Sequence, residues 1–188
     1  RKDELNRDVI FVAFTGEEVG LLGSSHFTRE PTPGAAPAGL VAMLNMDMVG
    51  RMRNNRVSVL GSQSAEEWDS VVEPICEALR LGCQLGGDGY GPSDQTPFYA
   101  AGVPVLHFFT GAHEEYHKPS DDAQLINAAG GVRVANLVAE IAVDLTVLDG
   151  LTYRETEAPA PSGDMRGYGA SLGSIPDYTG SPDNRPGM

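Results

Sequence analysis

The chain has 188 residues, 41% of them hydrophobic, and a formal net charge of −13. That length and apolar content suit one domain with a buried core. The negative charge argues against a nucleic-acid partner, which needs a basic face to meet phosphate, and no apolar run approaches the ~20 residues of a membrane span.

The chain opens at Arg1 with no charged-then-apolar leader, so it is expected to begin inside something longer. Residues 2–5 spell a retrieval signal that is read only at a C-terminus, which makes them coincidence here. Residues 8–14 form a continuous apolar, β-branched and aromatic run and predict a buried strand. Residues 20–29 predict a short helix, stopped by Pro31-Thr32-Pro33-Gly34. Residues 40–46 predict a second buried strand, and residues 56–60, which alternate, predict a strand near the sheet edge.

Ser64 and Glu67 have capping-box spacing. Behind them Trp68, Val71, Val72, Ile75 and Leu79 recur at helical spacing, with a bend expected at Pro74. Residues 93–101 predict a short helix, and residues 103–109 a third buried strand. Asn127 is placed to cap a helix with the stripe Val134, Leu137, Val138, Ile141, Leu145 and Leu148, stopped by Gly150. Strands alternating with helices predict an α/β fold, three layers with helices on both faces of a mixed, mostly parallel sheet. Residues 1–150 are assigned to this domain. Residues 151–188, rich in Pro and Gly and poor in aliphatics, are assigned to a flexible linker. Cys76 and Cys83 leave two readings open, a disulfide or two buried thiols.

Candidate chemistry lies just past the ends of the three apolar runs, where open α/β sheets bind ligands. Glu17-Glu18 follows the first, Asp47 closes the second, and His113 and His117 follow the third. Two acidic groups and a His-rich loop suit a hard-to-borderline cation such as zinc. Paired glutamates before a helix are ordinarily just favourable charges at the helix dipole. Asp47 stands out more, because its apolar neighbours make a lone carboxylate costly to bury. His107, inside an apolar run, reads as a hydrogen-bonded core histidine, and His26 as a helix-surface residue. His113-Glu114-Glu115-Tyr116-His117 spells the H-E-x-x-H zinc motif, which works only on a helix. Gly111 before it and Pro119 after it argue against that helix.

Residues 14–24, Phe-Thr-Gly-Glu-Glu-Val-Gly-Leu-Leu-Gly-Ser, resemble the signature of the co-catalytic di-zinc aminopeptidases, relatives of glutamate carboxypeptidase and glutaminyl cyclase. Residues 45–50, Asn-Met-Asp-Met-Val-Gly, resemble the family's second metal motif. Ser93-Asp94 with Pro97-Phe98-Tyr99 and Gly102-Val103-Pro104 is similar to its next block, and residues 116–121 to its last. Order and spacing agree over residues 8–148. The resemblance implies that Glu17 is the general base and that Tyr116 stabilises the oxyanion. It implies that Glu18 and His117 bind one zinc and Asp47 the other, with two zincs in the complete domain. The implied substrate is a peptide with a free N-terminus, and the expected location is periplasmic or secreted. Gln95 stands where the family often has His. The family's His-x-Asp motif and bridging Asp lie upstream of Glu17, so this chain alone is expected to be inactive. Residues 166–178 resemble the lead-in to a PDZ domain found in some bacterial relatives. A one-zinc aminoacyl cyclase and a catalytically dead interaction module of the same fold are the competing readings.

Overall fold

A computed structural model of the protein describes residues 5–156. In chain order the elements are α1 (Leu22–Arg29), β1 (Met43–Met46), β2 (Arg56–Leu60), α2 (Trp68–Leu79), β3 (Gly82–Gly86), α3 (Gln95–Ala100), β4 (Val105–Phe109) and α4 (Ala128–Val147). The four strands form one sheet in the order β1-β4-β2-β3. β1 runs parallel to β4 and β2 parallel to β3, while β2 and β4 are antiparallel. Helices cover both faces, so the fold is the three-layer α/β arrangement with a mixed, mostly parallel sheet.

One layer packs α2 and α4 on the sheet. Trp68, Val72 and Ile75 of α2 meet Val134, Leu137 and Ile141 of α4 over Val57, Val59, Leu106 and Phe108. The α4 residues recur three and four apart, the spacing that puts one stripe of a helix inward. The other layer sets Phe98 and Tyr99 of α3 on Val105, with Phe27 of α1 and Phe14 packed against them. Residues of β4 alternate between the two layers, which is why all five are buried. Asn127 does cap α4, its side chain accepting from Gly130 N at 2.9 Å.

Several expectations need correction. Residues 8–14 form no strand: they are extended coil, with Phe11 91% exposed. An apolar run becomes a buried strand only when neighbours satisfy both its backbone edges, and no strand among the described residues pairs with it. β2 lies inside the sheet rather than near its edge, because β3 pairs outside it. The Gly-Cys-Gln-Leu-Gly sequence of β3 carries no apolar run to announce a strand. The capping box does not form. Ser64 Oγ donates to Val105 O at 2.9 Å and accepts from Trp68 Nε1 at 2.9 Å, so the hydroxyl is spent on the core. The α4 helix ends at Val147, ahead of Gly150, and Arg7 donates to the carbonyls of Leu145 in its last turn and of Leu148 and Asp149 just past it.

Cys76 and Cys83 are joined in a disulfide between α2 and β3. Residues 151–156 pack against the preceding elements. Tyr153 pairs with Ala65, and its hydroxyl donates to Tyr99 O at 3.0 Å. Burial beside Tyr99 pushes the Tyr153 phenol up to about 12. Residues 166–178, expected to lead into a PDZ domain, lie outside the described residues.

Glu67 holds the same segment from the other side, accepting from Thr152 N at 2.8 Å and Thr152 Oγ1 at 2.6 Å. The hydroxyl of Thr152 holds the Glu67 carboxyl below the usual 4.5. A lowered folded-state value contributes stability that is present above the unfolded pKa and lost as pH falls through the folded one. Acidification below about pH 4.5 therefore loosens this attachment. Hydrogen exchange at Thr152, corrected for its intrinsic pH dependence, should accelerate there relative to neutral pH. Glu67→Gln should remove that acceleration.

Candidate metal and catalytic site

Asp47 follows directly on β1, and residues 110–122 follow β4. Because these two strands are parallel and adjacent, their C-terminal ends open side by side. Asp47 N donates to Phe108 O at 3.2 Å, and Thr110 Oγ1 donates to Met48 O at 2.5 Å. The loop of residues 15–21 closes over the same end. Its turn is wound tightly: Gly23 N donates to Thr15 O at 2.9 Å, and a Cβ on Gly23 would lie 2.5 Å from that oxygen. Only glycine fits there. Gly16, at φ 68°, supplies the left-handed residue that starts the turn.

Two of the side chains singled out from the sequence meet here. His117 Nε2 lies 2.9 Å from Glu18 Oε1, a contact across 99 residues. Both are exposed, with side chains 52% and 70% accessible. An exposed pair of this kind adds little to stability. Its significance is that two separate loops bring an imidazole and a carboxylate to one point. Tyr116 stacks on His117 with ring centroids 3.8 Å apart. Glu17 is held above the usual carboxylate range, first by burial and then by the negative charges of Glu18, Asp47 and Asp94, with His117 acting against them. Those causes put all four groups within electrostatic reach of Glu17.

The histidines of the H-E-x-x-H sequence share no helix. Residues 114–117 are turns, and His117 is left-handed at φ 56°. His113 is buried and faces Glu115 and Asp121 at 3.5 and 3.7 Å, whereas His117 faces Glu18. Pro119 and Gly111 are the physical reason, as the sequence suggested. His26 sits on the surface of α1, near Glu30. His107 is buried as expected, but neither ring nitrogen has a hydrogen-bond partner, and burial pushes its pKa down. It is a neutral core histidine beside the Phe109 ring at 6.0 Å.

Sequence reasoning assigned no role to the residues that support Asp47. Ser93 Oγ donates to Asp47 Oδ2 at 3.0 Å, and Asn45 Nδ2 donates to Ser93 Oγ at 2.9 Å and to Gln95 Oε1 at 3.0 Å. Ser93 and Gln95 are each 2% exposed. Their signal was Asn45 two residues before Asp47, which shares its side of the strand. Gln95 reaches Asp47 only through this relay. Ser24 Oγ donates to Asp94 Oδ1 at 2.5 Å, tying the start of α1 to the start of α3.

Carboxylate oxygen and imidazole nitrogen are donors that zinc accepts, and the crowding of carboxylates around Glu17 is relieved by a cation. In type, the residues fit. In number they are few, since among the described residues no three His, Cys, Asp or Glu are grouped closely enough to hold a metal.

The model of peptidase family M28 matches residues 1–142. Aminopeptidase YwaD of Bacillus subtilis is 32% identical over 133 residues, covering 65% of this chain and 28% of that protein. Leupeptin-inactivating enzyme 1 of Streptomyces exfoliatus is 30% identical over 115 residues, covering 61% and 25%. The chain thus spans about a quarter of the length of these curated relatives. A zinc aminopeptidase from Bacillus subtilis superposes with a TM-score of 0.59 at 25% identity, covering 70% of this chain and 34% of the other.

The two histidines are separable by experiment. His117→Ala in the full-length protein should lower zinc stoichiometry, and His113→Ala should retain it. Metal analysis of the purified variants measures both, and equal loss in the two would restore the H-E-x-x-H reading.

Proposed function

Because the chain belongs to peptidase family M28, we propose that it contributes the base and part of the metal site to a zinc-dependent aminopeptidase that removes N-terminal residues from peptides. The observation that carries this reading is the meeting of Glu18 and His117 at 2.9 Å, at the strand end where Asp47 also sits.

In this reading Glu18 and His117 hold one zinc and Asp47 the second, completed by ligands from elsewhere in the domain. Zinc, when bound, supplies Lewis acidity that polarises the scissile carbonyl and lowers the pKa of water. Glu17 takes a proton from the attacking water as the oxygen bonds to the carbonyl carbon. It returns that proton to the leaving nitrogen as the carbon–nitrogen bond breaks. The Tyr116 hydroxyl donates to the developing oxyanion. Stacking of its ring on His117 ties the oxyanion donor to the metal ligand. The carboxylate of Asp47, held by Ser93, also attracts the ammonium of a free N-terminus.

The Cys76–Cys83 disulfide supports an oxidising location, and the proposal extends to a periplasmic or secreted protein. Peptides are the proposed partners. No described helix is long and apolar enough to cross a membrane.

In the full-length protein, Glu17→Gln should keep its zinc and lose about 10²–10⁴-fold in kcat. Steady-state kinetics on an amino-acid anilide, with metal analysis alongside, measures this, and near-normal turnover with zinc bound would remove Glu17 from the role of base. Cleavage should also require a free amine. An N-acetylated anilide hydrolysed as fast as the free one would rule out an aminopeptidase.

A further inference from the structure

Asp47 and His117 stand at the ends of neighbouring strands, but a ligand at a strand end is only as well placed as the loop that carries it. The His117 loop is made of consecutive turns, with Tyr116 N donating to His113 O at 3.1 Å and Lys118 N to Glu115 O at 2.9 Å. Its sequence is largely polar and includes Pro119. His117 itself adopts a left-handed conformation, at φ 56°, that is uncommon for non-glycine residues.

Contacts to both flanks of His117 come from the turn after Asp47. Residues Val49–Arg51 form a single 3-10 turn, and the backbone N–H of Arg51 donates to Thr110 Oγ1 at 3.3 Å. The Arg51 guanidinium, 13% exposed, donates from Nη1 to Glu115 Oε2 at 3.4 Å and from Nη2 to Asp121 Oδ1. Glu115 lies two residues before His117 and Asp121 four after, so one planar fork grips both flanks of the turn. Buried His113 lies beside the same two carboxylates, with Nδ1, which makes no hydrogen bond, 3.5 Å from Glu115 Oε2 and Nε2 3.7 Å from Asp121 Oδ2. Arg51 and His113 each face both carboxylates, so Arg51, Glu115, His113 and Asp121 make a ring of four side chains. Arg53 adds a bond from Nη1 to Ala112 O at 3.4 Å at the loop's entry.

We propose that Arg51 is a positioning residue of the zinc-ligand loop. Through this ring it fixes Tyr116 and His117 relative to Asp47, so that the ligands on the two strand ends are set by one side chain. The inference rests on the reading of Glu18, Asp47 and His117 as zinc ligands. It goes beyond that reading in assigning the alignment of the site to residues that touch neither metal nor substrate. Lysine is only a partial substitute, because a point charge cannot span two carboxylates in the plane of a fork.

The test uses the full-length protein, prepared metal-free and titrated with zinc by calorimetry, for wild type, Arg51→Met, Arg51→Lys, Glu115→Gln and the Arg51→Met/Glu115→Gln double variant. Groups that orient metal ligands are worth about 10–100-fold in affinity. Arg51→Met should weaken zinc binding by about that factor with stoichiometry unchanged, and Arg51→Lys should recover part of it. The double variant should be no worse than the poorer single one, since both cut the same ring. Loss of thermal stability in metal-free Arg51→Met with zinc affinity unchanged would make the ring merely structural and overturn the proposal. If Arg51→Met fails to fold, Glu115→Gln decides alone: wild-type affinity there overturns the proposal as well. A wild-type protein that binds no zinc would overturn the functional reading and this inference together. Zinc bound equally by wild type and Arg51→Met would overturn this inference and leave the function standing.

Discussion

The parallel pairing of β1 with β4 is the constraint on which the site depends. It is four residue pairs long, from Met43 opposite Val105 to Met46 opposite Phe108. In a parallel pair both chains leave the sheet at the same end. Asp47 and the 110–122 loop are therefore neighbours by construction, although about 70 residues separate them in the chain. Everything else described at the site refines that adjacency. Thr110 bonds Met48, Arg51 grips the flanks of His117, and Ser93 on the approach to α3 steadies Asp47.

The sheet is asymmetric in a way that follows from its strands. β4 is buried on both faces and lies between β1 and β2. Among the described strands β1 forms an edge, and its last residue, Met46, is 48% exposed. The acidic residues and His117 gather at the end of this edge pair. The larger core of α2 and α4 sits on one face of the sheet, and the smaller aromatic layer of Phe14, Phe27 and Phe98 on the other, with ring centroids 5.7 to 5.9 Å apart. Phe14 belongs to that layer and immediately precedes the Glu17 loop. The aromatic packing thus holds the base-bearing loop to the domain, where the preceding residues are open to solvent.

How much of this was legible in the sequence depended on whether the signal was local. The α4 stripe and its Asn127 cap were readable because helical periodicity and capping act within a few residues. The apolar run of β4 was readable because a strand buried on both faces must be apolar throughout. β3 was not, because two glycines and a glutamine owe their strand state to the neighbouring β2. Residues 8–14 misled for the complementary reason. Their composition suits a strand, but pairing is a property of partners and not of the segment. At the site, the motif residues were visible by type and order. The Arg51 ring was invisible, since it joins residues far apart in sequence whose charges read individually as solvated surface. Ser64 makes the same point: its spacing to Glu67 spells a cap, while its hydroxyl serves Trp68 and Val105.

The Cys76–Cys83 bond lies at the opposite sheet edge from β1. β3 is short and rich in glycine, the kind of strand whose alignment with its neighbour is weakly specified by side chains. A shift of one residue along β2 would turn Cys83 from the helix side of the sheet to the other, and the bond to α2 forbids it. The covalent link therefore acts as a register pin. It also keeps the outermost strand from peeling away to expose β2 as a template for another copy of the chain, a hazard that open sheet edges carry.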